Sequence, residues 1–200
     1  MARCRAIRQR VWLLLAEATM TSFERPLCLD IGTKMGWAFW SPETGERSGW
    51  YDLSAFPLYA QRGIQFAKWL TWAVEDKFQP DLVVIEEPFL SSQKIGIIAR
   101  HWMHYSFVRV QEIGQELINE GWAGRMQVLT PGTYKEHATG SGGANKKKVR
   151  AAVNANGGRN IKSEDEADAV AMLCYIREQH KIGPDHAHTG RQFTMTELVA

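Results

Sequence analysis

The chain is poor in cysteine, in net charge and in long apolar runs, and each shortage excludes something. Three cysteines, Cys4, Cys28 and Cys174, lie far apart in 200 residues. No two of them have zinc-ligand spacing, so neither a disulfide framework nor a structural zinc site is expected. Cys28 and Cys174 sit in apolar runs, where cysteine acts as a small hydrophobe, and a reducing cytoplasm is the expected setting. The formal net charge is only +2, so bulk charge does not argue for a polyanionic partner. Only a local basic patch could do so. The run Val11 to Ala16, behind Arg3, Arg5, Arg8 and Arg10, is too short for a signal-peptide core or a membrane span. It reads as an amphipathic leader helix, and no membrane partner is expected. No internal repeat and no second domain are visible.

What remains suits one soluble domain, since 44% of residues are hydrophobic and 23% charged, enough apolar mass for a core without disulfides. An N-terminal extension is expected over 1–24, a domain over 25–180 and a mobile tail without apolar period over 181–200. Leu27 to Ile31 reads as a buried strand, followed by a turn at Gly32 and Gly36. Trp37 to Trp40 and Ser48 to Leu53 continue it as a meander. A helix is expected from Leu58 to Phe78, with Phe66, Trp69, Leu70, Ala73 and Val74 on one face. Leu82 to Ile85 is apolar throughout, as in a parallel strand covered on both sides. A second helix runs from Ile97 to Glu120, with Gly121 beyond it. Met126 to Leu129 is a strand. A short helix follows Pro131, then the loop Gly140 to Gly143, a basic helix from Asn145, a loop over Asn154 to Asn160 and a helix over Glu164 to Glu178. The order implies an α/β fold, a mixed five-stranded sheet with helices on both faces. The eight tryptophans are expected mainly in the core.

The informative residues are acids in apolar places. Asp30 interrupts the run Leu27-Cys28-Leu29-Asp30-Ile31, where an uncompensated charge costs several kcal/mol. Taken alone it could equally be a structural Asp paired with a buried Arg. Glu86 and Glu87 end a buried strand at its carboxyl end, where α/β sheets place their sites. Alternation sends only one of them to a given face. In Ser163-Glu164-Asp165-Glu166-Ala167-Asp168, Ser163 and Glu166 fit a capping box, and first-turn acids suit the helix dipole. Asp168 lies beyond those positions, on the face that carries Met172 and Ile176, and Asp165 is three residues earlier on the same side. Such acids repel one another unless a divalent cation joins them. Mg²⁺ prefers hard oxygen ligands of this type, and two ions about 4 Å apart serve phosphodiester hydrolysis.

A phosphodiester substrate also needs positive groups. Gly140 to Gly143 would let backbone approach a phosphate closely, and Lys146, Lys147, Lys148 and Arg150 at a helix start would track the strand. Arg159 and Lys162 extend this basic stretch. Read without further support, the same stretch is a solvated basic helix.

In four places the chain resembles the RuvC-type Holliday junction resolvases. Leu29-Asp30-Ile31-Gly32-Thr33-Lys34-Met35-Gly36-Trp37-Ala38 is similar to their first-strand motif, an aspartate followed by spaced glycines. Val84-Ile85-Glu86-Glu87-Pro88-Phe89 is similar to their second. Pro131 through Lys135 to Gly140-Ser141-Gly142-Gly143-Ala144-Asn145-Lys146 resembles their lysine-bearing segment and Gly-rich loop. Asp165-Glu166-Ala167-Asp168-Ala169 matches their D-x-A-D-A helix start. The resemblance implies a ribonuclease H-like fold, a homodimer acting on branched DNA at four-way junctions, and two Mg²⁺ (or Mn²⁺) ions per site. It implies Asp30, Glu86, Asp165 and Asp168 as metal ligands and catalytic acids. It implies Lys146 as a further catalytic group, with Lys135, Lys146 and Gly142 near the DNA. It places Phe89 where the family carries an aromatic that acts at the junction's opened bases. The extension before Leu27, the Glu87-Pro88 pair and the tail from Lys181 depart from the pattern and are similar to divergent, phage-like members. A flap or RNA–DNA hybrid nuclease of the same fold would use the same acids, and a non-cleaving DNA-binding relative is the alternative of another class.

Overall fold

The protein is described from a computed structural model covering residues 23–87, 97–183 and 191–192. Three strands, β1 (Pro26–Asp30), β2 (Lys34–Ser41) and β3 (Gly45–Asp52), form an antiparallel meander. β4 (Leu82–Glu86) joins the free side of β1 in parallel, and β5 (Arg125–Leu129) joins β4 in parallel. The sheet order is β5-β4-β1-β2-β3, with the dipeptide Arg191–Gln192 pairing beside β3 as a short β6. Of the expected mobile tail, only 181–183 and this dipeptide fall among the described residues. Among the described residues no helix is long and apolar enough to cross a membrane.

Alternation along the two central strands divides the core in two. Leu27 and Leu29 of β1, with Val83 and Ile85 of β4, pack beneath α1 (Tyr59–Trp72) and α2 (Ile97–Asn119). Cys28, Leu82 and Val84 face the opposite layer of α3 (Pro131–Thr139), α4 (Lys146–Gly157) and α5 (Glu164–His180). The continuous apolar character of both strands follows from this two-sided burial. Asp30 and Glu86 take the next positions in the alternation, so both face the α3–α5 layer.

The α5 helix carries Ala167, Ala169 and Ala171 among its wholly buried residues. Short side chains let it lie close over β1 and β2. Gly36 completes that approach, because a Cβ there would stand 1.9 Å from the Asp165 carbonyl oxygen. Met172, Leu173 and Ile176 are also fully buried, each contributing about 1.5–3 kcal/mol. The start of α5 is therefore fixed on the sheet by core packing.

Two elements differ from the sequence reading. The helix expected to reach Phe78 is α-helical only to Trp72 and then makes a π-type turn over Ala73–Lys77. The wider turn closes with a hydrogen bond from the Phe78 N–H to the Ala73 carbonyl, and Phe78 packs against Phe39 and Trp37 with ring centroids 4.7 and 5.1 Å away. The stretch 154–160, expected as a loop, begins as the last turn of α4 and ends on Gly158 at φ 59°. Asn154 uses its amide to bind both the N–H and the carbonyl of Ile161, which ties the helix end to the following turn.

Candidate metal centre

The end of β1 and the end of β4 lie side by side, with Leu29 opposite Ile85. This pairing sets Asp30 beside Glu86. Asp168, from the first turns of α5, completes a triad in which one carboxylate oxygen from each residue lies within 4.8 Å of the others. Glu87 takes the opposite phase, is exposed, and hydrogen-bonds through its N–H to the Leu129 carbonyl. Strand alternation thus brings Glu86, and not Glu87, to the face of Asp30.

Asp165 joins through an intermediary. Lys146 begins α4, whose N-cap Asn145 accepts a bond from the Lys148 N–H. Its ammonium stands 2.6 Å from Asp165 Oδ1, 2.9 Å from Asp30 Oδ2 and 3.3 Å from Asp168 Oδ2. Burial alone would lower the pKa of this ammonium, but the charges of Asp30 and Asp168 and the bonds to Asp165 and Asp30 raise it well above its usual value. Lys146 is firmly cationic and sits where a positive charge is needed.

One ammonium among four carboxyl groups leaves the centre rich in negative charge. Glu86 is pushed up to about 9, by burial first, then by the charge of Asp30 and a shared hydrogen bond with it; Lys135 opposes the rise. Asp168 is pushed up to about 6, again by burial first and then by Asp30, against the pull of Lys146 and Lys135. Both oxygens of Asp168 are buried and make no well-formed hydrogen bond, the 3.3 Å approach of Lys146 to Oδ2 being their compensation. A buried carboxylate is costly unless its charge and its hydrogen-bonding capacity are both met. A hard divalent cation would relieve it, and an all-oxygen donor set suits Mg²⁺ or Mn²⁺ better than a soft metal. The residues therefore fit the ion that the sequence resemblance implies.

The cap of α5 is simpler than the sequence suggests. Ser163 accepts a bond from the Glu166 N–H, but the Glu166 side chain does not return to the cap. It turns inward and accepts a 2.8 Å bond from Ser48, fastening α5 to β3.

The remaining sequence candidates divide. Lys135 lies on α3, close enough to act on Glu86 and Asp168 through its charge. Gly142 stands against Gly132, where a Cβ would be 3.1 Å from the Gly132 carbonyl oxygen. Lys147 and Lys148 are exposed on the first turn of α4. Arg150 donates to the Lys162 carbonyl at 2.7 Å, so its guanidinium is partly engaged within the fold. Arg159 is not part of a basic surface: it is held on the buried Glu46. Phe89 lies outside the described residues.

Two aromatic residues near the centre escaped the sequence reading. Trp50 shares a sheet row with Gly36 and Asp30, so its side chain is on the metal-centre face. It is 46% exposed, unlike the buried Trp37, Trp40 and Trp69, and the Lys34 ammonium is 5.9 Å from its ring centroid. Tyr134, on α3, is wholly buried, and its hydroxyl makes no well-formed hydrogen bond. Its position one turn after Pro131 carried no composition signal, because a tyrosine in a short helix reads as core.

Sequence comparison finds no matching family model and no matching curated relative. Solved structures do match. The Thermus thermophilus RuvC structure aligns with a TM-score of 0.55 at 20% identity, over 78% of this chain and 97% of that one. T. thermophilus RuvC in complex with Holliday junction substrate aligns at 0.59 and 18% identity over the same shares. The yeast mitochondrial Holliday junction resolvase Ydc2 aligns at 0.54 and 14% identity, over 84% of this chain and 87% of that one. These likenesses establish the ribonuclease H-like fold expected from the sequence.

Proposed function

We propose that this chain, whose fold is that of RuvC-type Holliday junction resolvases, is a divalent-metal-dependent endodeoxyribonuclease that hydrolyses phosphodiester bonds in four-way junctions. The observation that carries this reading is the acidic triad Asp30, Glu86 and Asp168, whose carboxylate oxygens lie within 4.8 Å of one another beside Lys146. Asp30, Glu86 and Asp168 are the ligands, with Asp165 as a fourth through its place beside Lys146, and the site takes two Mg²⁺ or Mn²⁺ ions. Bound there, the ions would activate a water and stabilise the leaving oxygen. Lys146 balances the acids in the protein alone. With cations present its ammonium becomes free to contact a phosphate oxygen, and Lys135 adds positive charge on the neighbouring side.

The chain's other groups suit branched DNA. Lys147 and Lys148 extend the positive surface from the centre along α4, where contacts to phosphates position a strand without reading its sequence. Trp50, with Lys34 beside it, offers a flat face on which an unpaired base can stack. Phe89 keeps the role that the sequence resemblance implies, contact with opened bases. A homodimer follows from the reading, because resolving a junction requires two cuts. Exposed Leu58, Tyr59, Ile64 and Tyr105 on and beside α1 and α2 supply apolar surface for it. Cys28 and Cys174 are free, which suits a reducing cytoplasm.

The test uses a labelled four-way junction beside a flap, a linear duplex and an RNA–DNA hybrid, each with Mg²⁺ and with EDTA. Paired symmetric nicks on the junction, lost with EDTA, are expected. Cleavage confined to flap or hybrid would move the substrate while keeping the metal centre. Binding without cleavage of any substrate would favour a non-cleaving relative.

A further inference from the structure

The strand β5 ends at Leu129, paired with Glu86, and the Glu87 N–H binds the Leu129 carbonyl. Pro131 then starts α3 immediately. This short connection holds α3 at the carboxyl end of the sheet beside Glu86. Tyr134 comes in the first turn and points inward, with none of its surface exposed. It packs in the core layer that also holds Val84 and Ala167.

A buried hydroxyl without a partner costs about 1–3 kcal/mol, and a phenylalanine would fill the same space without that cost. The hydroxyl is therefore informative. It borders the acids: Glu86, Asp168 and Asp30 all lie close enough to act on it. Glu86 also acts on it as a hydrogen-bonding neighbour, although the contact falls short of good geometry. A protonated hydroxyl is a donor only toward a carboxylate.

We propose that Tyr134 is a positioning residue of the metal centre, whose hydroxyl donates to the Glu86 carboxylate when a divalent cation binds. It would orient Glu86 toward the ion and satisfy the carboxylate oxygen that the ion does not use. Groups that support a ligand in this way commonly change metal affinity by roughly 10–100-fold when removed. The inference rests on the metal-centre reading given above and assigns a role to a residue outside the four acids.

The experiment is calorimetric titration of Mn²⁺ into the full chain and into Tyr134→Phe, without DNA. The variant is expected to bind Mn²⁺ roughly tenfold or more weakly, while its metal-free melting temperature is not lowered. Glu86→Gln and the double variant complete a cycle. If Tyr134 acts through Glu86, the double variant binds no more weakly than Glu86→Gln alone. Unchanged Mn²⁺ affinity in Tyr134→Phe overturns the proposal, as do additive losses in the cycle or absence of Mn²⁺ binding by the unaltered chain. Mn²⁺ binding that depends on Tyr134, without cleavage of any DNA, would overturn the nuclease reading and leave this inference standing.

Discussion

Two buried clusters of charge lie on the same face of the sheet, at opposite ends of α5, and they are built in opposite ways. Near the helix end, Glu46 receives a two-pronged bond from Arg159 at 2.6 and 2.7 Å. The Arg177 guanidinium is 3.7 Å from Glu46 and 3.7 Å from the Trp40 ring centroid. There one acid meets two guanidiniums, and every charge has company. Near the helix start, four acids gather around the ammonium of Lys146, with the Lys135 charge acting on two of them, Glu86 and Asp168. Burial first, and then the charge of Asp30, make Glu86 and Asp168 hold protons more tightly. The first cluster is closed on itself and serves the fold. The second has more acids than cations around it, an excess that suits a hard divalent cation. Burial of acids alone does not separate the two; the balance of charge around them does.

That contrast can be broken experimentally, most severely at Asp168. Asp168→Asn removes a proposed ligand and part of the repulsion together, so cleavage of a junction should fall by roughly a thousandfold, the scale of several kcal/mol at the transition state. The metal-free protein should be no less stable in the same variant, as read by thermal unfolding. The opposite pattern belongs to the closed cluster. Arg159→Ala leaves Glu46 short of its main partner and should cost about 3–5 kcal/mol in urea unfolding, with normal cleavage per folded molecule. Loss of cleavage there without loss of stability would erase the distinction.

Smaller effects sharpen it. Trp50→Ala should weaken junction binding by about 1–3 kcal/mol in a fluorescence titration and leave linear duplex binding unchanged. Equal losses on both substrates would remove the stacking role. The pH dependence has a definite sign. Glu86 and Asp168 have pKa values raised in the fold, to about 9 and about 6. Their contribution to metal-free stability is therefore fully present below the unfolded carboxyl pKa and is lost as pH rises through about 6 and then about 9. A divalent cation reverses this, because it replaces the protons. Between those pH values Mn²⁺ affinity should rise, with release of about one proton per site, measurable by calorimetry in buffers of different ionisation enthalpy. Affinity independent of pH would place the ion elsewhere.

Much of this was legible in the sequence, because the strongest signals were violations of a simple pattern. Asp30 in an apolar strand and Asp168 on an apolar helix face are visible as charges where burial forbids them, and the structure brings both together with Glu86. The five main strands follow from apolar runs and turns. Arg159 was misassigned to a basic surface because one-dimensional spacing cannot show that Glu46, far away in the chain, turns inward on β3 to meet it. Glu166 looked like half of a capping box because its spacing from Ser163 is right, yet Ser48 offers it a buried partner. Trp50 and Tyr134 were invisible for the same reason. An exposed tryptophan on a strand and a buried tyrosine on a helix differ only in what the neighbouring elements leave open, which is decided by tertiary packing.

The most direct test of the central claim compares the unaltered chain with Asp30→Asn on one labelled four-way junction. The unaltered chain should cut in Mg²⁺ and stop in EDTA, while Asp30→Asn binds the junction with similar affinity and does not cut it. Cleavage by Asp30→Asn at the unaltered rate, or cleavage by the unaltered chain that ignores EDTA, would contradict the assignment of the acid-rich cluster as the metal-dependent centre.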